Sequence, residues 1–123
     1  MKSFNLESLP KAIGPYNHIV ETGDLYFMSG QLGIDVITNE LADGIENETK
    51  KIFENLKNAL LELNKTFSHI VKTTIYLANI SDFAKVNEIY ASYFEGSFPA
   101  RAVVEVSAMA KNASIEMDVI ISR

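Results

Sequence analysis

The chain has no cysteine among its 123 residues. That excludes disulfides, thiolate nucleophiles and Cys-based zinc sites. Its two histidines, His18 and His69, stand far apart and lack ligand spacing, so no metal site is expected. There is no basic run, and the formal net charge is −5. A surface that tracks nucleic-acid phosphates is not expected from such a balance. No apolar run approaches the roughly 20 residues of a membrane span, and no membrane contact is expected. Polar residues interrupt Met1-Lys2-Ser3-Phe4-Asn5-Leu6-Glu7, which lacks a signal peptide's apolar stretch. The expected compartment is the cytoplasm. Asn-x-Ser/Thr triplets at Asn47, Asn64 and Asn112 are then read as chance. Repeats, linkers and low-complexity stretches are absent, so residues 1–123 are expected to form one domain. With 47% hydrophobic residues, the chain can fill one modest core, and an oligomer interface would add to it.

The pattern that is present reads as strands and two helices. Residues 18–22 and 25–29 are short strand-like runs around Gly23-Asp24, a pair suited to a hairpin turn. Residues 33–44 read as a loop. Ile52, Phe53, Leu56, Ala59, Leu60 and Leu63 fall on one face of a helix from about Glu46 to Leu63. Asp43 is positioned to cap it and Asn64 to stop it. Residues 69–77 read as a strand, with Val71, Thr73, Ile75 and Leu77 to one side. A second helix begins at Asp82 and turns Phe83, Val86, Ile89-Tyr90 and Tyr93-Phe94 inward, and Pro99 blocks its continuation. Strands at 101–107 and 114–122 follow, joined as a hairpin around Lys111-Asn112. The order is ββαβαββ. It predicts an α+β sandwich, a mostly antiparallel sheet with both helices on one face. On the other face Ile120 sits beside Glu116 and Asp118, while Val103 shares a side with Arg101 and Glu105. So mixed a surface suggests contact with another subunit.

Arg101 follows Pro99 directly, and period-two geometry aligns it with Val103 and Glu105. The hairpin register predicts that Glu116 shares this face with Arg101. A guanidinium can grip a substrate carboxylate through two hydrogen bonds. A carboxylate nearby can hold a water or pass a proton. From the two residues alone, a structural ion pair between strands is the commoner explanation. Ser29 has no histidine arranged to activate it, so it is read as a hydrogen-bonding group and not a nucleophile.

Further motifs recur in order along the chain: Ile13-Gly14-Pro15-Tyr16, Phe27-Met28-Ser29-Gly30-Gln31, Asn55-Leu56-Lys57, Lys72-Thr73-Thr74-Ile75-Tyr76-Leu77 and Val86-Asn87. Phe98-Pro99-Ala100-Arg101 follows, then Val104-Glu105-Val106 and Ile115-Glu116. In this order and spacing the chain resembles the Rid family of imine deaminases. The resemblance implies a chorismate-mutase-like fold and a homotrimer with an active site in each intersubunit cleft. It implies hydrolysis of 2-iminopropanoate and 2-iminobutanoate to 2-oxo acids and ammonia, with no cofactor. Arg101 would bind the substrate carboxylate, Glu116 would position the water, and the Val103 backbone would contact the substrate. Tyr16, Ser29 and Asn87 would line the cleft, with Tyr16 and Ser29 on one wall and Arg101 and Glu116 on the other, from different chains. The chain departs from the family pattern at Asn17-His18, Ile34-Asp35-Val36-Ile37, Val103 and Met109-Ala110-Lys111-Asn112. A non-enzymatic carboxylate-binding or chaperone-like role is the main alternative. A ribonuclease would need a base that the chain does not display, and a chorismate mutase would need more cations than Arg101 supplies.

Overall fold

The computed structural model describes all residues, Met1–Arg123. Its strands are β1 (Lys2–Phe4), β2 (Ile19–Thr22), β3 (Leu25–Leu32), β4 (Ile70–Leu77), β5 (Ala100–Glu105) and β6 (Ile115–Ser122). Its helices are α1 (Gly44–Glu62), between β3 and β4, and α2 (Phe83–Ser92), between β4 and β5. The six strands form one open sheet in the order β1-β2-β3-β6-β4-β5. Every pairing is antiparallel except β4 with β5. The α+β architecture is as expected. The extra strand β1 escaped the pattern because three residues are too few to show alternation.

The local signals explain most boundaries. Gly23 turns the β2–β3 hairpin with φ 56°, a conformation glycine adopts without strain. Asn64 follows α1 with φ 60°, a left-handed stop that asparagine tolerates. Asp43 occupies the residue before α1, but its side chain makes no capping hydrogen bond. The first helix instead enters through Gly44 at φ 86°.

Ile52, Phe53, Leu56, Ala59 and Leu60 of α1 pack on the inward residues of the sheet, together with Val86 and Tyr90 of α2. Phe53 is the centre of an aromatic group, stacked on Tyr93 at 4.5 Å and edge-on to Tyr90 at 5.7 Å. Ile75, Leu77, Ile115, Met117, Val119 and Ile121 are the sheet's contribution. Two inward residues differ from expectation. A bulge between Ile70 and Lys72 turns Val71 out and puts Ile70 in the core. Phe83 stays at the rim of α2, 38% exposed.

The predicted β5–β6 hairpin does not form. β4 lies between them, pairing with β5 on one side and β6 on the other. The burial pattern gives the physical reason. β6 buries every second residue from Ile115 to Ile121, as an interior strand under helices does. β5 buries none fully and takes the edge, reached from β4 by the α2 crossover. β5 also stops at Glu105, two residues short of the expected end.

The loop after β3 is pinned to α1, where the buried Asn55 amide donates to the Ile34 carbonyl at 2.8 Å and Gly33 lies against Glu48. A Cβ at Gly33 would come within 2.6 Å of Glu48 Cα, so only glycine fits this approach. The buried Glu48 carboxylate in turn accepts the Ser114 N–H at 2.8 Å. This contact fixes both the end of β3 and the start of β6.

Candidate active site

Sheet register decides where the expected site residues fall. Arg101 pairs with Thr73, and Glu116 pairs with Tyr76. Thr73 is buried against the helices and donates or accepts one hydrogen bond with the Tyr90 hydroxyl at 2.8 Å. Tyr76 lies on the opposite face, where its hydroxyl donates to Asp118 at 2.9 Å. Arg101 and Glu116 therefore lie on opposite faces of the sheet. The expectation that they share a face and a wall is corrected. Its error is the absent β5–β6 hairpin.

On the helix side, Arg101 leaves the β5 edge under α2. Its Nη1 donates to Asn87 Oδ1 at 2.7 Å. The guanidinium lies 4.8 Å from the Tyr90 ring centroid and 5.5 Å from that of Phe83, within cation–π range. These contacts restrain the planar fork and leave its remaining N–H groups open. Val103 shares the Arg101 face, but its side chain packs against the core, so the apolar character it lent the second face belongs to Phe27 and Val104 instead. The Val103 backbone is available. The Val106 N–H donates to Leu77 O, which turns even-numbered amides of the strand toward β4. Alternation then directs the N–H and C=O of Arg101, Val103 and Glu105 to the free edge.

Glu116, Tyr16 and Ser29 come together on the other face, in a cavity of about 300 Å³. Ser29 sits in the bulge between Met28 and Gln31. Its Oγ donates to the Asn17 carbonyl at 2.6 Å, so its proton is committed. Gly30 is there for space: a Cβ would overlap the Glu116 carboxylate. Burial raises the Glu116 carboxyl above its ordinary range, and the negative Asp118 adds to the rise. No hydrogen-bond donor counters either effect. Lys11, Gln31, Asn39 and Lys111 also line it. Lys11, Asn39 and the Phe83–Tyr90 support of Arg101 were not singled out from the sequence, and Gly30 and Lys111 appeared there only as parts of motifs, without a role. A glycine inside a strand pattern was the one available signal for close approach.

The family model described as "Endoribonuclease L-PSP" matches residues 6–122. The chain belongs to the Rid family. A RutC family protein of Pyrococcus abyssi is 44% identical over 93% of this chain and 91% of its own. The mouse protein named 2-iminobutanoate/2-iminopropanoate deaminase is 38% identical, covering 97% of this chain and 89% of its own. The crystal structure of RidA from an Antarctic Psychrobacter superposes with a TM-score of 0.95 at 32% identity, with both chains fully covered. The Rid fold thus accounts for the six-stranded sheet and its two helices. No helix in it is long and apolar enough to cross a membrane.

The fit of Glu116 over Gly30 is directly testable. Gly30→Ala should push the carboxylate toward solvent while the backbone stays in place. Carboxyl ¹³C titration should show the Glu116 midpoint falling toward the ordinary glutamate range, with the unfolding midpoint changed little. An unmoved Glu116 titration would contradict the close approach.

Proposed function

We propose that the chain hydrolyses 2-imino and 2-enamino carboxylic acids, the class of 2-iminopropanoate and 2-iminobutanoate, to 2-oxo acids and ammonia. The observation that carries this reading is Glu116, a carboxyl raised by burial and by Asp118 inside a cavity. Such a group holds a proton more readily than an ordinary glutamate and can exchange it with a bound water. The name of the mouse relative supports the same chemistry. The cavity lining includes no histidine and the Ser29 proton is committed, which disfavours phosphodiester cleavage there.

In the proposed reaction the free N–H groups of Arg101 hold the substrate carboxylate, beside the open Val103 backbone. Asn87 keeps the fork in place. Ionised Glu116 accepts a proton from water as the water oxygen bonds to the imine carbon. The C=N pair moves to nitrogen, which takes the proton back from Glu116 and gives a neutral tetrahedral amino alcohol. Glu116 then accepts the hydroxyl proton and passes it to nitrogen, the C–N bond breaks, and ammonia leaves as the carbonyl forms. Tyr16 and Ser29 orient the intermediate from the cavity wall. Imines hydrolyse unaided, so positioning and proton handling suffice and no cofactor is used.

With Arg101 and Glu116 on opposite faces, a site that uses both would be built from two copies of the chain. The Tyr16–Ser29–Glu116 cavity of one copy would meet the Arg101–Asn87 edge of the next. A homotrimer repeats this contact three times, since unlike patches meeting head to tail close a ring. It would also cover the open face, where Phe27 and Val104 are 40% and 44% exposed beside Ile120. This reading puts its substrates with the pyridoxal-phosphate enzymes that release such imines, and its expected compartment is the cytoplasm.

A dehydratase that generates the imine in situ provides the assay. Added protein should speed 2-oxo acid release above the spontaneous rate. Arg101→Ala should lower kcat/KM at least about tenfold, since a charge-assisted hydrogen bond contributes roughly 1.5–3 kcal/mol and two are lost. No acceleration with either imine would leave a carboxylate-binding protein as the reading.

Glu116→Gln separates activity from stability. Turnover should fall about 100-fold, the lower range for a lost general base. The raised folded-state carboxyl means that the folded protein holds this proton to higher pH than the unfolded chain. Stability is then lost as pH rises from the unfolded value through the folded one. Glu116→Gln should therefore melt higher than the parent at neutral pH and lose that advantage in acid. Asp118→Asn should shift the acid limb of kcat to lower pH. An unmoved limb would remove Glu116 from proton transfer.

A further inference from the structure

The thirteen residues from Asn5 to Asn17 contain no helix or strand, yet they supply Pro10, Lys11, Ile13 and Tyr16 to the cavity wall. Leu6 and Leu9 anchor the segment in the core. Ser8 donates its N–H and its hydroxyl to Glu62 at the surface, and the buried polar anchor is His18. His18 is 3% exposed. Its Nδ1 accepts the Leu6 N–H at 2.9 Å, and its Nε2 bonds the Pro10 carbonyl at 2.8 Å. Its own N–H donates to Asn5 Oδ1 at 2.8 Å. Its carbonyl accepts the Ser29 N–H at 3.0 Å. The ring thus joins the start of the segment to the strand that carries Ser29.

These bonds specify the state of the ring. An Nδ1 that accepts from a backbone N–H carries no proton, so the proton is on Nε2 and points at Pro10. An imidazolium has a donor at both nitrogens. Its Nδ1–H would face the Leu6 N–H, and the bond would become a contact between two donors. The charged groups around the ring are few. Glu62 of α1 interacts with His18 at longer range, while its carboxylate is held by the Ser8 hydroxyl. Glu7 and Lys11 of the segment itself line a cavity beside the ring, which gives protons a route to it.

We infer that His18 is a positioning residue whose neutral ring clasps residues 5–10 and so sets the Tyr16 wall, and that protonating the ring opens the clasp. A glutamine offers the same acceptor and donor from its amide and cannot gain a proton. It replaces the hydrogen bonds and abolishes the response to acid. A role confined to filling space would not distinguish the two side chains by pH.

Amide exchange of the intact protein tests this, read by NMR at neutral and mildly acid pH and corrected for intrinsic exchange rates. In the parent, protection of the Leu6 amide should fall about tenfold on acidification, the loss of one buried hydrogen bond, while Ile75 and Ile115 hold. His18→Gln should keep Leu6 protected at both pH values. His18→Ala should leave it open at both. If the protein is an imine deaminase as proposed, KM should rise in acid for the parent and not for His18→Gln. The exchange arm does not depend on that activity, so failure of the deaminase reading leaves it standing. Equal acid responses in the parent and His18→Gln, or a Leu6 amide protected in His18→Ala, would overturn the inference.

Discussion

Strand β6 lies between β3 and β4, and the alternation along it governs the rest of the molecule. Ile115, Met117, Val119 and Ile121 point into the helices and are nearly inaccessible. A shift of one residue would bury Glu116 and Asp118 in their place. The register is therefore held by the full cost of burying unpaired charge. With β6 in place, Glu116 must face away from α1 and α2. With β5 displaced to the edge beyond β4, Arg101 must face toward them.

This separation has a chemical consequence. Had the guanidinium and the carboxyl met on one face, they would form an ion pair. A nearby cation lowers a carboxyl's pKa, and the fork would be occupied by protein. In the observed arrangement, burial and Asp118 raise Glu116, and Arg101 contacts only neutral groups: Asn87, Tyr90 and Phe83. Within one copy, neither group neutralises the other. The bulge at Ser29-Gly30 does the matching work on the cavity side. It spends the Ser29 proton on Asn17 and clears a Cβ from the path of Glu116.

Much of this was legible in the residues. Period 3.6 from Ile52 to Leu60 and period two from Ile115 to Ile121 located the first helix and the last strand within two residues. Gly23 and Asn64 marked a turn and a stop for the stated reasons of backbone conformation. The family motifs located the fold. What failed was strand pairing. Sequential strands usually neighbour each other, so β5 and β6 were paired across Lys111-Asn112, and Glu116 was joined to Arg101. Nothing local in β5 announces that α2 returns it parallel to β4. The bulge that ejects Val71 is likewise a product of pairing and not of composition. Aromatic support for Arg101 from Phe83 and Tyr90 depends on that same crossover, which brings α2 over the β5 edge. His18 stood out only as a departure from the family pattern without ligand spacing; its ring contacts were not legible because its partners, at Leu6 and Pro10, are backbone groups with no side-chain signature.

In the proposed reaction each site takes its two walls from different chains. Arg101→Ala and Glu116→Gln proteins, each strongly impaired alone, should be unfolded together in equal amounts and refolded. If a site takes Glu116 from one copy and Arg101 from its neighbour, random assembly leaves about one seam in four with both walls intact. Activity should return to about a quarter of the parent's. Mixed oligomers verified by native mass spectrometry that remain inactive would contradict the shared site.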